Sequence, residues 1–115
     1  MEFKEDEPYI VTHPAAGRAV VHFAPICDHA RTRQHETELT GLVEISQAVA
    51  CDLSQTTQIA SDWLRWLARL QAKARDTGKI FGLAGMKENV LATADVLGLG
   101  EKLNKVATVA DVWKL

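Results

Sequence analysis

The sequence contains few of the residues that metal, redox or membrane chemistry requires. Among its 115 residues are only two cysteines, Cys27 and Cys51, and their positions lack the paired spacing of metal and redox sites. No apolar run approaches the roughly 20 residues that cross a bilayer, so we expect no direct membrane insertion. The net charge of −2 gives no basis for nucleic-acid binding. What remains is the composition of a globular protein, 47% hydrophobic and 24% charged.

The length predicts a single domain over residues 1–115, because a chain of this size builds one core and not two. Residues 1–7 are mostly charged, and we expect them to form a solvated leader. A secretory signal would instead be basic and then apolar, so we predict a cytoplasmic protein. Cys51 lies in an apolar segment and is expected to be a small core residue.

The sequence offers no convincing active site. Its histidines all precede residue 36, without an HxH or CxxC spacing, and they are His13, His22, His29 and His35. No glycine-rich phosphate loop follows a strand and opens a helix, and Ser61 has no predicted His or Lys beside it to act as a base. We therefore expect no enzyme activity, no catalytic residues, no cofactor and no metal site.

The first half of the chain predicts a hairpin followed by a helix. Residues 9–13 and 18–23 favour strands, and the proline and glycine of residues 14–17 favour the turn between them. A helix is predicted over residues 32–45. Its apolar face is formed by Leu39, Leu42, Val43 and Ile45.

After residue 48, predicted strands and helices alternate, which indicates parallel strands joined by helical crossovers. The strands are 49–53, 80–84 and 106–109, the helices are 62–76 and 87–97, and a closing helix begins at 111. Residues 54–58 are polar and turn-like, with Ile59 as an apolar anchor. The fold class is therefore α/β, with a mixed sheet of about five strands and helices mainly on one face.

Ser61 stands where the N-cap of the second long helix is expected, just before Leu64, Leu67 and Leu70. An ordinary capping serine explains this position. A phosphoserine would also be well tolerated there, because free backbone N–H groups and the positive end of the helix dipole favour a phosphate.

These residues carry a resemblance to a known family. Residues 52–54 (Asp-Leu-Ser) and 59–64 (Ile-Ala-Ser-Asp-Trp-Leu) resemble the STAS domain, the family of sulfate transporters and anti-sigma-factor antagonists. The family pattern is Asp-Leu-Ser, four spacer residues and Ile-Asp-Ser-Ser-Gly-Leu, and it fits here without a gap. Residues 74–85 are similar to the helix end, glycine turn and fourth strand of the family, and residues 90–103 to its third helix.

The resemblance implies a partner switch. In anti-sigma-factor antagonists, the first serine of the motif, here Ser61, is phosphorylated by a kinase that is itself the anti-sigma factor. The implied partner is such a kinase-like ATPase or a scaffold, and the chain is expected to be a monomer or weak homodimer. The implied partner surface surrounds the start of the second long helix and comprises Asp28, Ser54, Thr57, Ala60, Ser61, Asp62, Trp63 and Trp66.

Three positions depart from the family pattern. Ala60 replaces its Asp, Asp62 replaces its second Ser, and Trp63 replaces its Gly. The bulky Trp63 could shield the Ser61 hydroxyl or anchor a partner. Trp63 and Trp66 share one face of the helix, and the sequence leaves open whether this pair is exposed or part of the core.

Two other functions fit the same fold. A cytoplasmic STAS subunit of a lipid-transport system would dock permanently on an ATPase, and an exposed Trp63 would suit that role. A small-molecule or nucleotide-binding STAS domain would need pocket residues that the sequence does not reveal.

Overall fold

The computed structural model describes residues 1–115 and contains seven strands and four helices between Tyr9 and Val112. The strands are β1 (Tyr9–Ala15), β2 (Arg18–Phe23), β3 (Ile26–Cys27), β4 (Ala48–Asp52), β5 (Gln58–Ile59), β6 (Ile80–Ala84) and β7 (Lys105–Val106). The helices are α1 (Arg33–Ile45), α2 (Ser61–Asp76), α3 (Glu88–Val96) and α4 (Val109–Val112).

The main sheet has five strands in the order β1-β2-β4-β6-β7. β1 and β2 form the predicted antiparallel hairpin, and β2, β4, β6 and β7 run parallel to one another. Helices α1, α2 and α3 provide the three crossovers, because parallel neighbours cannot be joined by a tight turn. The predicted mixed sheet is confirmed.

Three of the four helices cover one face of this sheet. Val21 and Cys51 point to that face, where α1, α2 and α3 contribute side chains to a core of 23 buried residues. The alternation along each strand turns Val20 and Ala50 to the opposite face, where they pack on Val112 of α4. The expected arrangement, with helices mainly on one face, is also confirmed.

Helix α1 begins and ends close to the prediction. Thr32 is its N-cap, and the Thr32 hydroxyl accepts a hydrogen bond from the backbone N–H of His35 at 3.2 Å. The predicted face is buried at Leu39, Leu42 and Val43. Ile45 does not belong to that face, because its side chain is 79% exposed at the end of the helix.

The C-terminal elements differ from the prediction. The expected strand over residues 106–109 is shorter and starts one residue earlier, and α4 begins at Val109 instead of residue 111. A capping box explains the shift. The Thr108 hydroxyl accepts from the Asp111 N–H at 3.3 Å, and the Asp111 carboxylate accepts from the Thr108 N–H at 3.1 Å.

Outside the sheet, residues 1–7 precede β1 and are exposed except for Phe3 and Glu7, which are partly buried. Cys51 is 1% exposed and lies in the core, as predicted. None of the four helices combines the length and apolarity that a bilayer crossing needs.

Candidate functional site

Two short strands join the loop after β2 to the loop after β4. β3 and β5 pair in parallel, with Cys27 opposite Ile59, and the Ala60 N–H donates to the Cys27 carbonyl at 2.9 Å. Neither strand was predicted, because two-residue strands carry no periodicity to detect. Their pairing places Asp28 next to the start of α2.

A groove of about 260 Å³ lies beside this small sheet. Its lining includes three residues of the expected partner surface, Asp28, Thr57 and Ala60. The opposite wall comes from α3 and includes Asn89, whose side-chain amide donates to the Thr57 carbonyl, and Thr93. Sequence reasoning missed this wall, because both residues lie off the apolar stripe of α3 and resemble ordinary solvent-facing positions.

Ser54 lies away from this groove. It is exposed and borders a separate pocket of about 270 Å³, together with Gly85 and Thr108. Gly85 has a φ of +70°, and a Cβ built there would come 2.9 Å from the Ser54 Cβ. The close approach of these two chain segments therefore requires glycine at position 85.

The loop between β4 and β5 is held by buried polar contacts. The Thr56 side chain is fully buried, and its hydroxyl donates to the Ala24 carbonyl at 3.0 Å. At the end of β4, the Asp52 carboxylate accepts from the Ser54 N–H at 3.0 Å and lies 3.1 Å from His22 Nδ1. Burial acts to raise the pKa of Asp52, but the hydrogen bonds from Ser54 and the contact with His22 outweigh it and hold that pKa below its usual value.

Ser61 is the first residue of α2 and not its N-cap, so the capping prediction is wrong. Ala60 is the N-cap, and its carbonyl accepts from the N–H groups of Trp63 at 3.0 Å and Leu64 at 3.3 Å. A capping residue needs extended backbone, and Ala60 has it with ψ at 144°. Ser61 is partly exposed, and its hydroxyl makes no hydrogen bond within the chain, so this oxygen is free for another role.

The tryptophan pair is buried, so the alternative of an exposed pair is wrong. Trp63 is 0% exposed and Trp66 is 7% exposed. The Trp63 ring packs against Tyr9, Phe23, His35 and Trp66 with centroid distances of 5.5 to 6.2 Å. A helix that packs on a sheet alone buries one stripe, but α2 also packs against α1, and this second contact buries a wider face.

Arg31 connects the starts of α1 and α2. Its guanidinium lies 2.8 Å from the Asp62 carboxylate and 3.2 Å from the Glu36 carboxylate, and its Cζ is 5.3 Å from the centre of the Trp66 ring. The side chain is only 12% exposed. Asp62 therefore carries a paired charge, which the sequence did not reveal because Arg31 lies 31 residues away.

Both thiols are free and buried. Burial, with a smaller contribution from the negative charge of Asp28, raises the pKa of Cys27 to about 12. Burial also raises the pKa of Cys51. The chain contains no group of three or more His, Cys, Asp and Glu side chains arranged to hold a metal ion.

No protein-family model matches the sequence, and no curated protein sequence matches it. Solved structures do match the fold. The anti-sigma factor antagonist SpoIIAA in its unphosphorylated form has a TM-score of 0.75 at 9% identity, over 92% of this chain and 94% of that chain. SpoIIAA in its phosphorylated form, a Bacillus cell fate determinant, has a TM-score of 0.65 at 7% identity, over 92% of this chain and 97% of that chain.

Two further structures have the same architecture. A STAS domain protein from Planctomyces limnophilus has a TM-score of 0.70 at 18% identity, over 92% of this chain and 95% of that chain. A sulfate transporter family protein from Wolinella succinogenes has a TM-score of 0.65 at 12% identity, over 88% of this chain and 85% of that chain. The chain thus shares its fold with the anti-sigma factor antagonist SpoIIAA, a STAS domain protein and a sulfate transporter family protein. This is the STAS fold, as the resemblance predicted.

Proposed function

We propose that this chain is a non-catalytic regulatory protein that binds a protein partner through the surface around the start of α2, and that phosphorylation of Ser61 switches this contact. One observation carries the proposal. The Ser61 hydroxyl is partly exposed, makes no hydrogen bond within the chain, and follows Ala60, which lines the groove beside Asp28. SpoIIAA, which shares the fold, exists in unphosphorylated and phosphorylated forms.

The proposed partner is an anti-sigma serine kinase or a scaffold protein in the bacterial cytoplasm, where ATP is available. In the phosphorylation step, the Ser61 oxygen forms a bond to the γ-phosphorus of ATP and the bond to the β-phosphate oxygen breaks. ADP leaves, and the hydroxyl proton passes to a base of the kinase. This chain supplies the hydroxyl and the docking surface.

The switch follows from charge. A partner that covers a neutral hydroxyl at this position removes it from water at small cost. A phosphate would bring about −1.5 to −2 charges into the same contact, and a partner would have to desolvate them. Trp63 does not obstruct either step, because its side chain points into the core and leaves the Ser61 hydroxyl uncovered.

A pull-down from the native bacterium tests the proposal, with wild type, Ser61→Ala and Ser61→Glu as parallel baits. We expect wild type and Ser61→Ala to retain a kinase-like ATPase and Ser61→Glu to lose it. Ala110→Glu is the matched control. Ala110 is exposed on α4, so the new glutamate adds the same charge as Ser61→Glu, but on the opposite face of the sheet. Ala110→Glu should retain the partner.

If all three Ser61 baits hold the same partner, the phosphorylation switch is wrong. A constitutive docking subunit, as in a lipid-transport system, would then explain the result. The burial of Trp63 and Trp66 removes the exposed aromatic surface that favoured this alternative.

A further inference from the structure

Arg65 is the one arginine near Ser61 that has no partner. It lies four residues after Ser61 in α2, its side chain is exposed, and none of the ion pairs of the structure includes it. Residues four apart in a helix share a face, with about 5–6 Å between their Cβ atoms. An anion on the N-terminal side of a cation is the favourable order of such a pair.

The Asp62 carboxylate could form an ion pair with Arg65, but it pairs with Arg31 instead. Asp62 lies three residues before Arg65, within reach along the helix, yet its carboxylate is 2.8 Å from the Arg31 guanidinium. Arg31 is also 3.2 Å from Glu36, and it is only 12% exposed, so its position is constrained from several sides. This arrangement neutralises the anion next to Ser61 and leaves Arg65 available.

We propose that Arg65 is the intramolecular partner of the phosphate on Ser61 and holds it against the first turns of α2. This inference rests on the phosphorylation of Ser61 proposed above. The phosphate provides three acceptor oxygens, and the planar guanidinium of Arg65 can donate two parallel hydrogen bonds to them. The Arg31–Asp62 pair stays intact, so phosphorylation changes the charge of the surface without unlocking α1 from α2.

The experiment uses the full chain with phosphoserine incorporated at position 61 during translation, and it follows the second ionisation of the phosphate by phosphorus NMR. A nearby cation favours the dianion, so Arg65→Gln should raise the pKa of this ionisation by about 0.3 units relative to the arginine-containing protein. The difference should vanish in 1 M salt, where the screening length is about 3 Å.

Arg69→Gln is the matched control. Arg69 is exposed in the same helix and also forms no ion pair. Its replacement by Gln removes the same charge, but Arg69 lies eight residues from Ser61. That separation is about 12 Å along the helix axis, beyond the screening length of about 8 Å at physiological salt. Arg69→Gln should leave the titration of the phosphate as it is in the arginine-containing protein.

Identical titrations for the Arg65→Gln and Arg65 proteins, or equal shifts in Arg65→Gln and Arg69→Gln, would overturn the inference. The phosphate is installed without a kinase, so the measurement stands apart from the pull-down. Failure to find a partner would contradict the proposed function, whereas a missing titration shift would contradict only the role of Arg65.

Discussion

The indole N–H of Trp63 donates a hydrogen bond to the backbone carbonyl of His29 at 2.9 Å. This contact ties the first turn of α2 to the loop that carries Asp28, one border of the groove. A fully buried side chain thus sets the position of an exposed surface. Trp63 contributes to the site through the core and not as a contact for a partner.

Replacing Trp63 should therefore destabilise the protein strongly. Trp63→Ala should lower the free energy of unfolding by about 3–5 kcal/mol, because it empties a large volume of the core. Trp63→Phe keeps most of that volume and loses the hydrogen bond to His29, which adds a cost of about 1 kcal/mol to that of imperfect packing. Urea unfolding followed by circular dichroism measures both. A loss below 1 kcal/mol for Trp63→Ala would contradict the core assignment.

Thr56→Val should destabilise the loop between β4 and β5. The substitution preserves shape but removes the donor that serves the carbonyls of Phe23 and Ala24, at an expected cost of about 1–3 kcal/mol. Thr57→Val is the matched control, because Thr57 is exposed and the Pro25 carbonyl that its hydroxyl contacts keeps two backbone donors. The control should stay within about 0.5 kcal/mol of wild type in urea unfolding.

Gly85→Ala should lower the free energy of unfolding more than Gly98→Ala does, although the two glycines have similar φ values of +70° and +73°. A side chain at either position carries the left-handed penalty of about 1–2 kcal/mol. At Gly85 the new Cβ would also lie 2.9 Å from the Ser54 Cβ, whereas a Cβ at Gly98 would have no atom within 4 Å apart from those of its own chain neighbours. Thermal unfolding of the two variants isolates the steric part. Equal losses would contradict the close contact with Ser54.

Asp52 should make stability depend on pH in the acidic range. Its pKa is lower in the folded protein than in the unfolded chain, so the folded state binds fewer protons. The stability from this group is complete above the unfolded pKa and is lost as pH falls through the folded pKa. Asp52→Asn should thus be less stable than wild type near pH 7, with the gap narrowing toward pH 3.

Urea unfolding at several pH values checks this prediction. Asp76→Asn is the control, because Asp76 is exposed at the end of α2 and forms no ion pair or hydrogen bond through its side chain. That variant should follow the wild-type curve. A gap between wild type and Asp52→Asn that stays constant with pH would show that the carboxylate acts only by its shape.

The sequence predicted the longer strands and helices, in which the pattern of apolar residues indicates the type of element. β2 and β6 have the predicted bounds, and α2 begins one residue before its predicted start. The predictions failed where tertiary contacts decide the structure. β3 and β5 exist only because they pair with each other, and Trp63 is buried because α1 and the β1–β2 hairpin enclose it.

The candidate site was predicted in part. The motif located Ser61 and its loop, and the order of elements brought Asp28, Thr57 and Ala60 to one groove. The residues that were missed, Arg31 and Asn89, reach the site from distant segments by side-chain contacts that leave no local pattern. Whether these residues bind a partner remains a prediction for the pull-down to test.

The two buried cysteines can report which part of the structure opens, because each thiol reacts only when it is exposed. Cys27 lies in the small sheet beside the groove, and Cys51 lies in the central strand β4, with exposed fractions of 0% and 1%. A thiol reagent can reach Cys27 when the β3–β5 pair separates, but it can reach Cys51 only when α1 and α2 leave the face of the main sheet that they cover. Labelling rates at the two thiols in one sample would therefore separate opening of the small β3–β5 sheet from loss of the main core.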